Sequence, residues 1–168
     1  MEKISVYSNS STETIVLAKR LAGNLRKGQV VGLYGNLGSG KTTFVKGLAQ
    51  GLGFKGRVNS PSFVILKVYS LKKKLLLYHF DLYRLNSLKE LEDVGYEDFI
   101  SGYGICVIEW ANKAEKLLPK HFLKIQMRVK GKNKRLINLI GYGPEYENLV
   151  TQMRPRFTER KRPPTSNT

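Results

Sequence analysis

Gly35-Asn36-Leu37-Gly38-Ser39-Gly40-Lys41-Thr42 decides how this chain reads. It fits the pattern G-x-x-x-x-G-K-[ST] in full, and its surroundings fit as well. Ahead of it, Gln29-Val30-Val31-Gly32-Leu33-Tyr34 is a short apolar run of the kind a buried strand needs. Behind it, Phe44, Val45, Leu48 and Leu52 recur at helical spacing as far as Gly53. A strand, a glycine-rich turn and a helix in that order make a phosphate cradle. Gly35, Gly38 and Gly40 let the backbone turn tightly and bring its N–H groups up to phosphate oxygens. The helix starting at Lys41 directs its positive end at the same anion. Lys41 is then placed for the β- and γ-phosphates and the Thr42 hydroxyl for Mg²⁺. A glycine-rich turn with a chance lysine is the bland alternative, and the flanking strand and helix argue against it. The chain is expected to bind a nucleoside triphosphate.

Outward from the cradle, Ile4-Ser5-Val6-Tyr7 alternates as a short strand. Ser10 and Ser11 open an amphipathic helix through Ile15, Leu17, Ala18, Leu21, Ala22 and Leu25, ended near Gly28. Residues 63–69 and 75–82 read as strands. The five residues between them are too few for a crossover helix, so the pair is expected to be an antiparallel hairpin. Helices are expected from Ser87, as N-cap, to Val94 and from Tyr96 to Ile100. A buried strand over 104–110 ends in a carboxylate, and a short helix to Leu118 stops at Pro119. Strands at 122–129 and 135–141 make a second hairpin. The expected fold is α/β: a single P-loop NTPase domain over residues 1–150, its mixed central sheet carrying antiparallel hairpins and flanked by helices. Residues 151–168 hold three prolines, five basic residues and two large apolar ones. That is too little to bury, and the segment reads as a basic, disordered tail.

A chain of 168 residues, 41% hydrophobic, can build a core without disulfides or a structural metal. The single Cys106 excludes a disulfide framework and a cysteine zinc site. No apolar run approaches the ~20 residues that span a bilayer, and Met1-Glu2-Lys3 leads into no apolar signal segment. A cytoplasmic setting is expected. The net charge of +16 points to anionic partners: nucleic acid, an anionic membrane surface or an acidic protein. Between Lys113 and Arg135 there are nine basic residues and one acid, whereas Glu90 to Asp98 holds five acids and no base. Solvated faces produce such runs too.

A Mg²⁺-nucleotide site also needs a carboxylate at the end of a neighbouring strand. Asp81 and Glu109 both stand there. One can hold the metal, directly or through water, while the other positions the attacking water or acceptor. Each alone also reads as a solvated strand end. His79, two residues before Asp81 on the same side of its strand, is either catalytic or a hydrogen-bonded structural histidine. Arg84 either stabilises phosphoryl charge or pairs with a carboxylate. Ser60-Pro61-Ser62 lies where P-loop proteins often carry a nucleotide-sensing loop, and also suits an ordinary turn.

Taken together, Gly35–Thr43, Val58-Asn59-Ser60-Pro61-Ser62-Phe63, Tyr78-His79-Phe80-Asp81-Leu82-Tyr83-Arg84 and Val107-Ile108-Glu109-Trp110 resemble the TsaE (YjeE) P-loop ATPases. That family belongs to the bacterial machinery that makes threonylcarbamoyl-adenosine in tRNA. The resemblance covers about residues 4–141. It implies that Gly35, Asn36, Leu37, Gly38, Ser39, Gly40, Lys41, Thr42 and Thr43 bind ATP, with Mg²⁺ held by Thr42 and Glu109. Asp81 is implied in hydrolysis together with Lys41 and Glu109, and Ser60 and Ser62 form the nucleotide-responsive loop. Trp110 is implied beside the site, its state coupled to nucleotide. More loosely, the resemblance places Ser11, Lys132 and Arg135 near the base and ribose. It implies an accessory ATPase, weak alone, that docks on TsaD and TsaB and drives their turnover on tRNA, with no membrane involved. The basic tail then has RNA within its reach.

Three departures stand out. Asn36 replaces the family's usual acid, Ser60-Pro61-Ser62 replaces its common Ser-Pro-Thr, and residues 151–168 have no counterpart. Two rival readings use the same residues. A small-molecule P-loop kinase shares the cradle and the strand-end Asp, but here an Arg-rich lid is missing and little chain follows Glu109. A nucleotide-gated RNA-binding module draws on the +16 charge.

Overall fold

The computed structural model describes residues 1–59 and 64–154. Alternating residues make β1 (Glu2–Ser8), whose Ile4 and Val6 face the core. The Ser10 side chain accepts the Glu13 N–H at 3.1 Å and so caps α1 (Ser11–Ala22). Leu17, Ala18, Leu21 and Ala22 on its inner face are buried. The helix ends at Gly23, earlier than the expected stop near Gly28. The apolar run before the cradle is β2 (Val30–Tyr34), buried along its whole length, and α2 (Lys41–Gly51) follows.

The next two strands, β3 (Leu66–Ser70) and β4 (Leu76–Asp81), pair antiparallel as expected. Two short helices follow, α3 (Lys89–Asp93) and α4 (Tyr96–Ile100). Ser87 does not cap α3 through its hydroxyl. Instead Glu90 Oε1 turns back to accept the N–H groups of Asn86 and Ser87, both at 3.0 Å. Then come β5 (Ile105–Glu109), a 3-10 segment over Ala111–Leu117, and the hairpin of β6 (Phe122–Val129) with β7 (Arg135–Tyr142).

The chain ends its described part in a helix that the sequence reading did not contain, α5 (Pro144–Met153). Pro144 opens it, where a missing N–H costs nothing. Tyr146, Leu149, Val150 and Met153 recur on one face and are buried, so ordered helix runs past residue 150. Residues 155–168 lie outside the described part.

The seven strands form one sheet in the order β1-β7-β6-β2-β5-β4-β3. The four central strands, β6, β2, β5 and β4, run parallel, and the two hairpins and β1 add antiparallel edges. One face of the sheet buries its aliphatic side chains under α1, α2 and α5. The opposite face, over β2, β5 and β4, packs against α3, α4 and the 3-10 segment. Among the described residues no helix is long and apolar enough to cross a membrane. Cys106 is buried in that second core, and burial pushes its thiol up, so it stays protonated and inert.

The α1–α2 contact depends on Gly47. A Cβ there would stand 2.6 Å from both Ala18 Cβ and the Ile15 carbonyl oxygen. Gly47→Ala is expected to lower the unfolding free energy by about 1–3 kcal/mol in a urea titration, even though Ala is the better helix former. A midpoint at or above that of the parent would show that the two helices are not held this close.

Candidate functional site

Parallel pairing of β4, β5 and β2 lines up their carboxyl ends. In register, Asp81 lies opposite Glu109 and Glu109 opposite Leu33, so both carboxylates stand beside the turn that leaves β2. This turn is the cradle. Gly35 has φ +150°, and a Cβ there would be 2.5 Å from the Met127 carbonyl oxygen and 2.7 Å from Ser39 Oγ. Only glycine fits. No side chain caps the N-terminus of α2, so its first N–H groups remain directed at the space in front of them.

Lys41 is only 4% exposed. Its ammonium donates to the carbonyl oxygens of Gly35 at 2.7 Å and Asn36 at 3.0 Å. On its other side it lies 3.7 Å from the Trp110 ring centroid. Burial lowers its pKa below the ordinary lysine value, and the nearby Glu109 and Asp81 pull in the opposite direction. Trp110 itself adopts φ +59°, a left-handed conformation that is costly for a bulky side chain. The strain is sustained by the ring's packing between Lys41 and Tyr83, whose centroid is 5.0 Å away.

The Thr42 hydroxyl donates to Glu109 Oε2 at 2.9 Å. The other oxygen, Oε1, lies 2.9 Å from His79 Nε2, and Tyr69 Oη lies 3.5 Å from His79 Nδ1. Tyr69 Oη also reaches the Asn59 carbonyl oxygen, at 3.4 Å. Glu109 and His79 are 2% and 0% exposed. Buried polar groups need such partners, and here they form one line from Thr42 through Glu109 and His79 to the residue preceding Ser60. Of the two readings of His79, the geometry supports the hydrogen-bonded one. Asp81 Oδ1 accepts the Tyr83 N–H at 3.0 Å, which fixes the turn after β4.

A cavity of about 440 Å³ opens in front of these groups, bordered by Gly38, Thr42, Asp81, Arg84, Glu109 and Trp110. Next to it, a smaller one of about 110 Å³ is lined by Ser11, Thr14, Thr43, Asn133 and Arg135. Arg135 fastens the β6–β7 hairpin to the cradle. Its Nη2 donates to the Gly38 carbonyl at 3.2 Å, and its Nη1 to that of Lys132 at 3.1 Å. The structure thus gathers Lys41, Thr42, Asp81, Glu109 and Trp110 around one cavity and Ser11 and Arg135 around the other. Lys132 offers its carbonyl to Arg135 and does not border either cavity, while Asn133 borders the smaller one. Ser60 and Ser62 lie outside the described residues. Asn133 carries no signal in the sequence, and Tyr83 stands in the Tyr78–Arg84 motif with no role assigned to it. Tyr83 stood in plain view beside Arg84, but an exposed tyrosine carries no signal until Trp110 is seen against it.

Residues 8–137 match the family model "Threonylcarbamoyl adenosine biosynthesis protein TsaE". The chain belongs to the TsaE family. A Bacillus subtilis tRNA threonylcarbamoyladenosine biosynthesis protein TsaE is 39% identical over 153 residues, which cover 91% of this chain and 95% of that one. Its Treponema pallidum namesake is 44% identical over 115 residues, 68% of this chain and 84% of the other. Among solved structures, Bacillus subtilis YdiB superposes with a TM-score of 0.78 at 34% identity, covering 92% of this chain and 96% of its own. Family membership thus agrees with the fold and with the motifs that pointed to it.

The TsaE-like site suits a hard cation. Thr42 and Glu109 offer oxygen donors beside the cradle. Among the described residues no three His, Cys, Asp or Glu side chains form a metal cage. Mg²⁺ needs none, since it keeps several waters and shares the phosphates of its nucleotide.

Proposed function

We propose that this chain is an ATP-binding and ATP-hydrolysing accessory subunit for threonylcarbamoyl-adenosine formation in tRNA, acting in the cytoplasm on a TsaD–TsaB-type complex. The observation that carries the proposal is the Thr42–Glu109 hydrogen bond at the mouth of the cradle. A hydroxyl and a carboxylate side by side at that point support a site for a Mg²⁺-bound triphosphate. Thr42 and Glu109 hold the cation, which neutralises charge on the β- and γ-phosphates when bound. Residues 35–43 surround the phosphates with backbone N–H groups, Lys41 contributes its charge, and Asp81 orients the attacking water. Ser11, Thr43 and Arg135 border the space left for the nucleoside.

The same geometry supports the expectation of weak activity by the isolated chain. Lys41 is engaged by two cradle carbonyls and by Trp110, and has to leave them to meet a phosphate. A partner that favours the rearranged state accelerates the reaction by its differential affinity for that state. Phosphate release from Mg-ATP by the purified chain is expected to be slow and to rise at least about tenfold with a TsaD–TsaB heterodimer, a modest gain beside the roughly 10³- to 10⁵-fold that an arginine supplied in trans contributes in other P-loop proteins. Absence of stimulation, with phosphate recovered on a small-molecule acceptor, would establish the kinase reading in its place.

A further inference from the structure

Half of one sheet face has no helix over it among the described residues. The side chains of β1, β7 and β6 that point away from α1, α2 and α5 fall into three rows across the strands. Lys3, Ile140 and Lys124 make the first, Ser5, Asn138 and Gln126 the second, and Tyr7, Leu136 and Arg128 the third. The second row is joined by hydrogen bonds, from Ser5 Oγ to Asn138 Oδ1 at 2.8 Å and from Asn138 Nδ2 to Gln126 Oε1 at 3.5 Å. The core that covers this face over β2, β5 and β4 takes only Phe122 from β6 and nothing from β7 or β1. Lys3, Ser5, Tyr7 and Arg128 are exposed, Tyr7 to 55%.

The face is basic, and its aromatic rings are set among the cations. Lys134 Nζ lies 4.7 Å from the Tyr7 ring centroid, and Lys124 Nζ 4.1 Å from that of Tyr34. Phe122 and Tyr142 stack, with centroids 5.1 Å apart and planes at 16°. The acid that approaches from a covering element is Glu115, 4.0 Å from Lys124; Glu2 is turned to Arg154. Beside the cradle the face runs into a further cavity of about 450 Å³, walled by Asn36, Asn112, Gln126, Arg128 and Trp110. Gln126 and Arg128 belong to both, and Trp110 also borders the nucleotide cavity.

We propose that this open face binds single-stranded RNA, with the cavity beside the cradle taking one nucleobase. Lys3, Lys124, Arg128 and Lys134 meet phosphates, Tyr7 stacks on a base, and Ser5 and Gln126, at the two ends of a row whose middle residue Asn138 is buried, offer hydrogen-bonding groups to base edges. Sheets bind unpaired RNA by this combination, roughly two or three bases per sheet. A duplex hides its base faces and would leave Tyr7 and the amide row idle. An acidic protein would be held by the cations alone. Residues 155–168 carry four basic residues and one acid, the same sign as the face, so their charge argues against them as its occupant. The strand rows rest on charge and shape and stand apart from ATP hydrolysis, whereas the cavity shares Asn36 and Trp110 with the cradle.

The test is anisotropy of a labelled, unstructured RNA oligonucleotide titrated with the full chain over a range of salt. Four phosphate contacts predict a log–log salt slope of about −3, since each contributes ~0.7 on a single strand. Lys3→Glu with Arg128→Glu is expected to weaken binding at least about tenfold and to flatten the slope by about 1.4. Tyr7→Ala is expected to weaken it about five- to 100-fold without changing the slope. Lys19→Glu with Lys55→Glu makes the same charge change elsewhere, and Arg160→Glu with Arg162→Glu makes it in the final segment. Smaller losses in both than in the face variant support the assignment. Equal or larger losses in either overturn it, as does an RNA duplex bound as tightly as the single strand. No binding at about 0.1 M salt overturns it as well. Heterodimer-stimulated phosphate release by Tyr7→Ala separates the two readings: it stays at the parental level if RNA binding alone depends on the face.

Discussion

Glu109→Gln is expected to reduce heterodimer-stimulated phosphate release about 100-fold while leaving the fold intact. The size follows from what the carboxylate holds together, since losing even a partner that orients a metal ligand costs about 10- to 100-fold, and Glu109 is the metal-side group itself. Its two oxygens serve different partners, Thr42 at 2.9 Å and His79 at 2.9 Å. Glutamine keeps the shape and one acceptor but makes the other end a donor and removes the charge that a Mg²⁺-nucleotide meets. The thermal midpoint should change little, because glutamine keeps the shape and can still hydrogen-bond to both Thr42 and His79. His79→Gln separates the carboxylate's own role from its orientation. With the carboxylate still charged but less firmly held, release should fall about tenfold, at the lower end of such losses, and more Mg²⁺ should be needed for half-maximal rate. Glu109→Gln with parental turnover would falsify the metal-side role.

Much of this site is legible in the sequence. The cradle is local: eight consecutive residues specify it, and a strand and a helix on either side confirm it. Asp81 and Glu109 were legible because an apolar run ending in a carboxylate is itself a placement rule for parallel strands. The hairpins were legible because five-residue connections leave no alternative to antiparallel pairing. What stayed hidden depended on contacts distant in sequence. Strand order brings β1 beside β7, at the other end of the chain, and no local pattern announces that. His79 reads as buried or catalytic until Glu109 is seen across the β4–β5 pair. Trp110 gives no sign of its left-handed backbone, because the contacts that sustain a tryptophan there, Lys41 and Tyr83 among them, come from distant parts of the chain. With α5 the signal was present and misread. Tyr146, Leu149, Val150 and Met153 have helical spacing behind a proline in its preferred place, but the proline-rich composition just beyond drew the boundary too early.

Lys41→Ala is expected to weaken nucleotide binding about 100-fold and to bring phosphate release down to the blank. A hydrogen bond to a charged group contributes about 1.5–3 kcal/mol, and each 1.4 kcal/mol is a decade of affinity. Trp110, the only tryptophan, reports binding directly because its ring lies against the ammonium that has to move. A titration by intrinsic fluorescence therefore measures both the affinity and the rearrangement. The same measurement against pH isolates the charge. The protonated form of Lys41 is the one that attracts phosphate, and burial has lowered its pKa from the ordinary 10.5. Affinity should thus decline on the alkaline side as pH rises through that lowered value, earlier than for an exposed lysine. The sign is fixed, because a bound phosphate favours the charged form and so binding takes up a proton there. In Lys41→Ala the lysine-dependent decline disappears along with most of the affinity, since an arginine near the site keeps its charge over the whole range. Parental affinity in the variant would mean that Lys41 serves the cradle only as the carbonyl-bound strut seen in this structure. A nucleotide site that no longer needed its buried cation would also remove the reason for placing Trp110, at the cost of a strained backbone, directly against it.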